Sequence, residues 1–393
     1  TRYISVTGVQ TCALPICYKV SVTLFVTNDF GPRAGGIETF VHGLIERFPK
    51  NSIVVYTSQQ GDTSSYDATW LADYGVTVYR DRSKMLLPTP RVIRQVRKVI
   101  NQHNPDAVVF GAAAPLALMG KFLPVKRKIA LTHGHEVWWA KVFPFNLLMR
   151  LIGNSVDHLT YLGEYTKREI SKGISAKARA AMVQIAPGID IEKFKPVDAS
   201  ELRSSLGLTN KEVIVSVGRL VPRKGQDKLI EALPKILKER PNAHLLFVGS
   251  GSFQSKLEQM IKKLNLQSHV TFVGRVQYEE LAKYICVGDI FAMPSRSRLA
   301  GLEVEGLGIV YLEASACGLP VLGGDSGGAP DAVLPGKTGL VVDGTDVNQI
   351  ADGAIKLLSG NRVEMGRAGR EWAVATWDWQ IWATKFVQLV RGA

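Results

Sequence analysis

EVIVSVGRLVPRKG (residues 212–225) shows the pattern that decides the fold of this chain. An apolar run with the composition of a buried strand is followed at once by a short loop of glycines and cations. Further apolar runs follow at HLLFVG (244–249), VTFVG (270–274), DIFAM (289–293) and LPVLGG (319–324), with helical segments between them. Strands buried on both faces have continuous apolar sequences, so these runs predict a parallel sheet covered by helices.

The first half of the chain repeats this alternation. Its predicted strands are YKVSVTLFVT (18–27), SIVVYT (52–57), VTVYR (76–80), DAVVF (106–110), KIALTH (128–133), DHLTYL (157–162) and MVQIAP (182–187). A turn-rich stretch at 187–212 separates the two series, and 393 residues exceed what one hydrophobic core usually serves. We therefore predict two doubly wound, Rossmann-like α/β domains. Such sheets bind ligands beyond the carboxyl ends of their strands, so functional residues are expected in loops that face a cleft between the domains.

The composition limits the possible classes of protein. A chain with 46% hydrophobic and 21% charged residues is globular rather than disordered. Its longest nearly apolar run, AVVFGAAAPLALMG (107–120), is shorter than the roughly 20 residues that cross a membrane. Four scattered cysteines favour a reducing compartment, and we expect the cytoplasm. The net charge of +13 predicts an anionic partner, which by charge alone is nucleic acid, an acidic membrane surface or a phosphorylated substrate.

Two segments have features of an interface. A helix beginning near Pro90 would place its apolar residues on one face and its basic residues on the other, which fits either an interface or a solvated surface helix. The apolar residues of this face are Val92, Ile93, Val96 and Ile100. VWWAKVFPFNLLMRLIG (137–153) is apolar and aromatic, and it fits either a lipid-facing surface or a buried helix. The sequence does not determine the oligomeric state.

Residues 1–16 differ in character from the rest of the chain. VTGVQTCALPI (6–16) resembles the translation of a sequencing-library adapter, so we expect 1–16 to be a non-native segment. Cys12 and Cys17 have no second Cys/His pair at ligand spacing, and no metal site is predicted there.

Polar side chains and glycines follow several predicted strands. Gly35 and Gly36 precede a helix, where the backbone can approach an anion or a sugar closely. In the loop GRLVPRKG (218–225), Arg219 and Lys224 can neutralise a diphosphate. No D-x-D pair is placed to hold a divalent metal, so these cations are expected to take its place.

LTHGHEVWW (131–139) contributes His133 and His135 at another strand end. One of them is expected in the cleft, where it would hydrogen-bond a sugar hydroxyl or move a proton, and the sequence leaves open which one. A zinc site is not predicted, because side chains alternate between opposite faces of an extended segment.

GLEVEGLGIVYLEASACG (301–318) contains two glutamates in an otherwise apolar segment. Glu305 is expected in a loop and Glu313 in the following helix, about 12 Å apart along the axis if the whole span were helical. A retaining glycosidase needs carboxyls about 5 to 5.5 Å apart, so such a pair is disfavoured, and the inverting range of about 6.5 to 9.5 Å is harder to exclude. The separation suits a nucleotide sugar, with hydroxyls at both ends and phosphates between them.

These features together resemble family 4 of the retaining GT-B glycosyltransferases, over residues 18–393. The resemblance rests on the E-x7-E spacing of Glu305 and Glu313, on GRLVPRKG, on the Gly35-Gly36 loop, on the His133 strand end and on PGIDIEKFKP (187–196) at the hinge. Within the family, the chain is most similar to the actinobacterial phosphatidylinositol mannoside mannosyltransferases of the second-mannose type. The segments TNDFGPRAGG, LTHGHEV and VEGLGIVYLEASACGLPV carry that similarity.

The resemblance implies a GDP-mannose donor, a phospholipid-linked acceptor at the inner face of the cell membrane, no metal and no further cofactor. It assigns catalysis to His133, Arg219, Lys224 and Glu305. The donor-binding residues it implies are Gly35, Gly36, Gly218, Arg219, Lys224, Arg275, Val276, Glu305, Gly306, Leu307, Gly308 and Glu313. Asp331 is left out, because family members often carry Glu at that position.

The resemblance also implies the domain limits. Residues 17–195 are expected to form an acceptor-binding domain and residues 196–375 a nucleotide-sugar-binding domain. Residues 376–393 are expected to form a helix that crosses back onto the first domain, where anchoring is favoured over lipid contact.

Other functions compete with this interpretation. A transferase with another nucleotide sugar and a soluble or polysaccharide acceptor would share the diphosphate cations. A nucleotide-sugar epimerase or a hydrolase of the same fold would share them too but would lack an acceptor groove. Nucleic-acid binding is disfavoured, because the basic segments lack interleaved stacking aromatics and known recognition motifs.

Overall fold

A computed structural model of the chain describes residues 21–32 and 35–392. The expectation for residues 1–16 lies outside the described residues. Within them, the chain forms two parallel sheets, each covered by helices on both faces, so the predicted fold class is confirmed.

The first sheet has seven strands among the described residues, in the order β3-β2-β1-β4-β5-β6-β7. Its strands are β1 (Thr23–Thr27), β2 (Ile53–Ser58), β3 (Thr77–Asp81), β4 (Ala107–Phe110), β5 (Arg127–Ala130), β6 (His158–Tyr161) and β7 (Met182–Gln184). The accompanying helices are α1 (Gly36–Ile45), α2 (Ser64–Tyr74), α3 (Pro90–His103), α4 (Glu136–Lys141), α5 (Phe145–Ser155), α6 (Glu164–Ser171) and α7 (Ala176–Ala180).

The second sheet has six strands in the described part of the chain, in the order β10-β9-β8-β11-β12-β13. Its strands are β8 (Glu212–Val217), β9 (Ala243–Val248), β10 (Val270–Gly274), β11 (Ile290–Met293), β12 (Val321–Gly324) and β13 (Gly339–Val342). The remaining helices are α8 (Ser200–Ser205), α9 (Gln226–Glu239), α10 (Gln254–Lys263), α11 (Leu281–Cys286), α12 (Ile309–Ala316), α13 (Val347–Ser359), α14 (Arg362–Trp377) and α15 (Trp379–Arg391). Strand β13, a four-residue edge strand that follows a turn, is not among the strands predicted from the sequence.

Both sheets reverse their strand order at one point, and those two points position the site. In the first sheet the reversal lies between β1 and β4, and in the second between β8 and β11. Strands β1 and β11 are fully buried, as the continuous apolar runs predicted. Ligands of doubly wound sheets bind at such reversal points, so the loops after β1, β4, β8 and β11 are where a site is expected.

Helix α3 begins at Pro90 as predicted, with the Thr89 hydroxyl accepting a hydrogen bond from the Val92 N–H. Its apolar side chains Val96 and Ile100 are buried in the first domain, so that face is not available to a partner. The interface alternative for this apolar face is therefore wrong, and the solvated surface helix is the observed arrangement. Arg97 also bonds within the domain, to the carbonyl of Phe122.

Helix α15 packs against the first domain. The Trp379 ring lies 6.1 Å from the Phe40 ring, and the Arg47 guanidinium lies 4.8 Å from the Trp379 ring. The Phe386 ring lies 6.2 Å from that of Phe25 on β1. The exact domain limits stay a prediction.

No helix within residues 21–32 and 35–392 has the length and apolar character needed to span a membrane.

Candidate active site

A cavity of about 410 Å³ lies between the two sheets and is lined by residues of both domains. The first domain contributes Gly36, His133 and His135, and the second contributes Arg223 and the segment 302–309. The domains approach closely here, because a Cβ atom on Gly306 would lie 2.9 Å from the His133 carbonyl oxygen. Residues from several predicted strand-end loops therefore meet at one cleft.

Glu305 is 8% exposed and lies in the loop after β11, as the sequence predicted. Its Oε2 atom accepts hydrogen bonds from Arg223 Nη1 at 2.6 Å and from Lys224 Nζ at 2.7 Å. Burial alone would raise the pKa of this carboxyl, but Lys224 and Arg223 together hold it below its ordinary value. The carboxylate is therefore ionised at neutral pH and paired with two cations.

The loop that carries these cations is shaped by Gly225, which has a φ of +79° and ends a short helical turn over Pro222–Lys224. A side chain on Gly225 would overlap the carbonyl oxygen of Pro294, so only glycine fits. Arg223 was not identified from the sequence. Its position beside Lys224 was visible, but nothing in the sequence indicated that it faces Glu305.

A second cavity, of about 590 Å³, lies at the carboxyl edge of the second sheet. Gly218, Arg219, Arg275 and Val276 all line it, so four predicted donor-binding residues come together there. Burial lowers the pKa of Lys224, and the nearby Arg219 charge acts in the same direction. The positive charges of Arg219 and Lys224 therefore repel each other across this part of the second domain.

Glu313 lies in α12, as predicted, and is 6% exposed. Burial raises the pKa of its carboxyl to about 7, and Lys224 and Lys193 oppose that shift. No described residue makes a hydrogen bond to the Glu313 carboxyl group. Because the Glu313 carboxyl has no hydrogen-bond partner among the described residues, its oxygens can accept a hydrogen bond from a hydroxyl group of a ligand.

Helix α12 begins between the two glutamates. Gly308 is its N-cap residue, with a φ of +81°. Within the described residues, the backbone N–H groups of Leu307, Gly308 and Ile309 have no acceptor. Gly306, Leu307 and Gly308 line the cleft cavity, so these N–H groups and the positive end of the helix are placed to receive an anion.

His133 is partly buried at the end of the segment that follows β5. Its Nε2 lies 2.5 Å from the carbonyl oxygen of Gly111, which can only accept, so Nε2 carries a proton. Burial lowers the pKa of the imidazole. The ring is therefore neutral at pH 7, and its Nδ1 is an acceptor suited to a hydroxyl group.

His133 and His135 both line the cleft, and their rings stack at 6.2 Å with an interplanar angle of 13°. The segment was expected to be extended, but Gly134 has a φ of +97° and turns the chain there, so that both histidines line the cleft. Glu136 turns back to accept a hydrogen bond from the His133 N–H at 2.9 Å. Among residues 21–32 and 35–392, no group of three or more His, Cys, Asp or Glu side chains is arranged to hold a metal ion.

Gly35 and Gly36 begin α1 at the carboxyl end of the first sheet. Gly36 lines the cleft, and a Cβ atom there would meet no atom of the described residues within 4 Å. Gly35 is extended, with a φ of −160°, and its carbonyl accepts a hydrogen bond from Thr39. Within the described part of the chain, the start of α1 therefore leaves room for a ligand at Gly36.

Comparisons with known proteins agree with this arrangement. Residues 34–193 match the sequence model of "Glycosyltransferase Family 4", and residues 198–372 match that of "Glycosyl transferases group 1". A GDP-mannose-dependent alpha-(1-6)-phosphatidylinositol monomannoside mannosyltransferase of Mycolicibacterium smegmatis is 42% identical over 94% of this chain and 98% of its own length. The monoacylated-substrate counterpart of Corynebacterium glutamicum is 42% identical over 94% of this chain and 97% of its own.

Solved structures of low sequence identity share the fold. Anabaena HepE in complex with UDP has a TM-score of 0.79 at 19% identity, covering 95% of this chain and 100% of that one. Sucrose-phosphate synthase from Thermosynechococcus elongatus has a TM-score of 0.75 at 22% identity, covering 95% and 98%. The two sheets are therefore the two domains of a GT-B fold, and the chain belongs to glycosyltransferase family 4.

Proposed function

We propose that this chain is a retaining mannosyltransferase that moves mannose from GDP-mannose to a lipid-linked acceptor such as a phosphatidylinositol mannoside. The observation that carries the proposal is the buried Glu305 carboxylate, held by Arg223 and Lys224 in a cleft that His133 also lines. The similarity to mannosyltransferases over nearly their whole length supports the choice of donor and acceptor.

In this proposal, the donor lies along the second domain with its phosphates at the start of α12. Arg219, Lys224 and the helix N–H groups stabilise the negative charge that develops on the leaving diphosphate. The base occupies the cavity beside Arg275 and Val276, and the ribose hydroxyls reach Glu313. Arg223 and Lys224 donate hydrogen bonds to Glu305 in this structure. As the donor binds, they can donate to its phosphate oxygens instead.

At the other end of the donor, His133 and Glu305 hold the sugar. The neutral His133 ring accepts a hydroxyl proton through Nδ1, and Glu305 accepts from another sugar hydroxyl. As the bond to the diphosphate breaks, a leaving phosphate oxygen takes the proton of the acceptor hydroxyl, so retention needs no separate general base. We propose that the reaction uses no metal and no further cofactor, with the cations providing the charge that a metal would supply.

We also propose that the first domain docks on an anionic membrane surface through the α4–α5 segment. Phe143 is 75% exposed, Leu147 53% and Leu151 54%, next to the cations Lys141 and Arg150. The opposite side of α5 is buried, so the helix has one face free for lipid. The apolar segment 137–153 therefore contributes to both the core and an exposed patch.

The donor and acceptor are tested in two steps. Thermal shift with GDP, UDP and other nucleoside diphosphates should single out GDP, and GDP-mannose should then yield a mannosylated lipid when phosphatidylinositol monomannoside is added. Incubation with GDP-mannose alone separates the alternatives. Free mannose or an epimerised sugar nucleotide as the main product of both incubations would refute the transferase proposal.

The membrane surface is tested by sedimentation with vesicles. Binding to phosphatidylglycerol vesicles should exceed binding to phosphatidylcholine vesicles and should weaken with salt, because screening reduces the attraction of the cations to the surface. A Phe143→Ser/Leu147→Ser variant should bind several-fold less. Val363→Ser is the matched control, since Val363 is 83% exposed on α14 of the second domain. Equal loss in both variants would contradict the proposed surface.

A further inference from the structure

Asp331 makes a contact across the cleft that the catalytic roles above do not use. It lies in the second domain, in a short helical turn over Ala329–Ala332. Its Oδ2 atom accepts a hydrogen bond from the backbone N–H of Tyr165 at 3.1 Å, at the start of α6 in the first domain. The N–H of Glu164 also faces this carboxylate.

The start of α6 is built to receive this carboxylate. Its N-cap residue is Gly163, which has no side chain to satisfy the first N–H groups of the helix. A Cβ atom on Gly163 would overlap Asp331 Oδ2. A residue of one domain thus caps a helix of the other, and the cap can form only when the two domains are together.

The segment that carries Asp331 also holds Glu305. The Ser326 hydroxyl accepts the Glu305 N–H at 3.1 Å, and the Glu305 carbonyl accepts the Gly328 N–H at 2.8 Å. The Asp331 N–H in turn bonds to the Gly328 carbonyl at 3.1 Å. A continuous chain of hydrogen bonds therefore runs from α6 of the first domain to Glu305 in the cleft.

We propose that Asp331 is a positioning residue that couples domain closure to the placement of Glu305, by capping α6 of the opposite domain. The inference rests on the proposed function, because it assigns the regulation of that same site. Closing the domains forms the cap, and the cap fixes the segment 326–331 against the backbone of Glu305. Opening the domains breaks the cap and releases that segment.

The acceptor oxygen of Asp331 is sufficient for this role. Burial raises the pKa of its carboxyl, and the two backbone N–H groups only partly oppose that shift, so the negative charge itself is costly in the closed arrangement. Asn keeps an oxygen acceptor without the charge. Asp331→Asn should therefore preserve the contact, whereas Asp331→Ala removes it.

The test compares four variants with the wild type in the transfer assay. Asp331→Ala should lower kcat about tenfold while the KM for GDP-mannose changes less than about twofold, because the cap acts on closure rather than on donor contacts. Asp331→Asn should stay near the wild type. Gly163→Ala should reproduce the loss from the other domain, since the extended φ of −152° admits alanine and only Asp331 is displaced. The double variant Gly163→Ala/Asp331→Ala should be no worse than either single variant, because both break one contact.

The matched control is Asp346→Ala. Asp346 caps α13 within the second domain by accepting from the N–H groups of Asn348 and Gln349, so its loss removes a helix cap that does not cross the cleft. It should lower the melting temperature and leave kcat unchanged. Unchanged kcat in Asp331→Ala, an equal kcat loss in Asp346→Ala, or additive losses in the double variant would each overturn the inference.

A second readout does not depend on transfer. Small-angle scattering with saturating GDP should give a larger radius of gyration for Asp331→Ala than for the wild type and for Asp346→Ala. An equal radius in all three would overturn the inference. If the wild type transfers no mannose, the proposed function fails, and this measurement still decides whether Asp331 holds the domains together.

Discussion

At the scale of single residues, Glu305 partly offsets the positive charge of the cleft. Its single carboxylate accepts hydrogen bonds from both Arg223 and Lys224, at 2.6 and 2.7 Å, so one negative charge faces two positive charges. A diphosphate that enters must compete with this carboxylate for the same cations. The pairing with Glu305 therefore lowers the cost of burying these cations, and their excess positive charge can still bind an anion.

Glu305→Gln tests this arrangement. Removing the buried carboxylate leaves the buried Lys224 without its ion-pair partner, and we expect a loss of roughly 3 to 5 kcal/mol in the free energy of unfolding. The freed cations should bind GDP more tightly than in the wild type, although transfer is lost. Urea unfolding and calorimetric titration with GDP measure the two effects. Glu371→Gln is the control, because Glu371 forms an exposed pair with Arg367 on α14. Weaker GDP binding in Glu305→Gln would contradict the assignment of Lys224 to the diphosphate.

Glu313 makes stability depend on pH. Its pKa is about 7 in the folded protein against an ordinary value of 4.5, so the folded state keeps a proton that the unfolded state releases between these pH values. Stability from this residue is full below pH 4.5 and falls as the pH rises to about 7, by ~3 kcal/mol at about 1.4 kcal/mol per pKa unit.

The comparison of wild type with Glu313→Gln isolates this contribution. Urea unfolding at pH 5 and pH 8 should show that Glu313→Gln loses less stability than the wild type on going to pH 8. GDP affinity should rise through pH 7 in the wild type only, because ribose hydroxyls donate to the ionised carboxylate. Parallel pH profiles in the two proteins would count against a buried, protonated Glu313.

At the scale of elements, α15 joins the end of the chain to the first domain. Trp379 packs on Phe40 and under Arg47, and its backbone N–H bonds to the Ile189 carbonyl at 3.2 Å. Gly43 and Gly188 are close to the Trp379 side chain, and a Cβ on either would overlap it. Trp379 and Phe386, which packs on Phe25, therefore both hold the helix against the first domain.

Trp379→Ala should leave a cavity beside Phe40, Gly43 and Gly188. Loss of a buried aromatic side chain costs roughly 3 to 5 kcal/mol, since the apolar contact is lost and a cavity remains. Guanidinium unfolding monitored by circular dichroism measures the change. Val363→Ala, at a position 83% exposed, should change stability by less than about 0.5 kcal/mol. A loss as small as that of the control would show that α15 contributes little to the first domain.

The elements also show what the sequence could and could not predict. The apolar runs identified the strands other than β13. Gly306 and Gly308 before IVYLEASA placed Glu305 in a loop and Glu313 in a helix, because these patterns are local. The pairing of Arg223 with Glu305 joins residues 82 positions apart and depends on how two loops of the second domain meet. The segment from His133 to Glu136 was expected to be extended, whereas Gly134 has a positive φ that turns the chain toward the start of α4.

At the scale of the whole molecule, the two domains contribute different groups to the site. The second domain carries the cations and both glutamates, while the first contributes His133 and the exposed α4–α5 patch. Where Gly134 meets Gly306 the two backbones are so close that a Cβ atom on Gly134 would lie 3.0 Å from the Gly306 Cα atom. The cross-cleft contacts could not be read from the sequence, because each depends on the relative placement of two domains.

The most direct test of the central claim is the stereochemistry of the product. In a ¹H NMR time course with GDP-α-mannose and phosphatidylinositol monomannoside, the wild type should form an α-linked mannoside as the first product, and Glu305→Gln should form none at the same protein concentration. A β-linked product, or free mannose without transfer, would contradict the account.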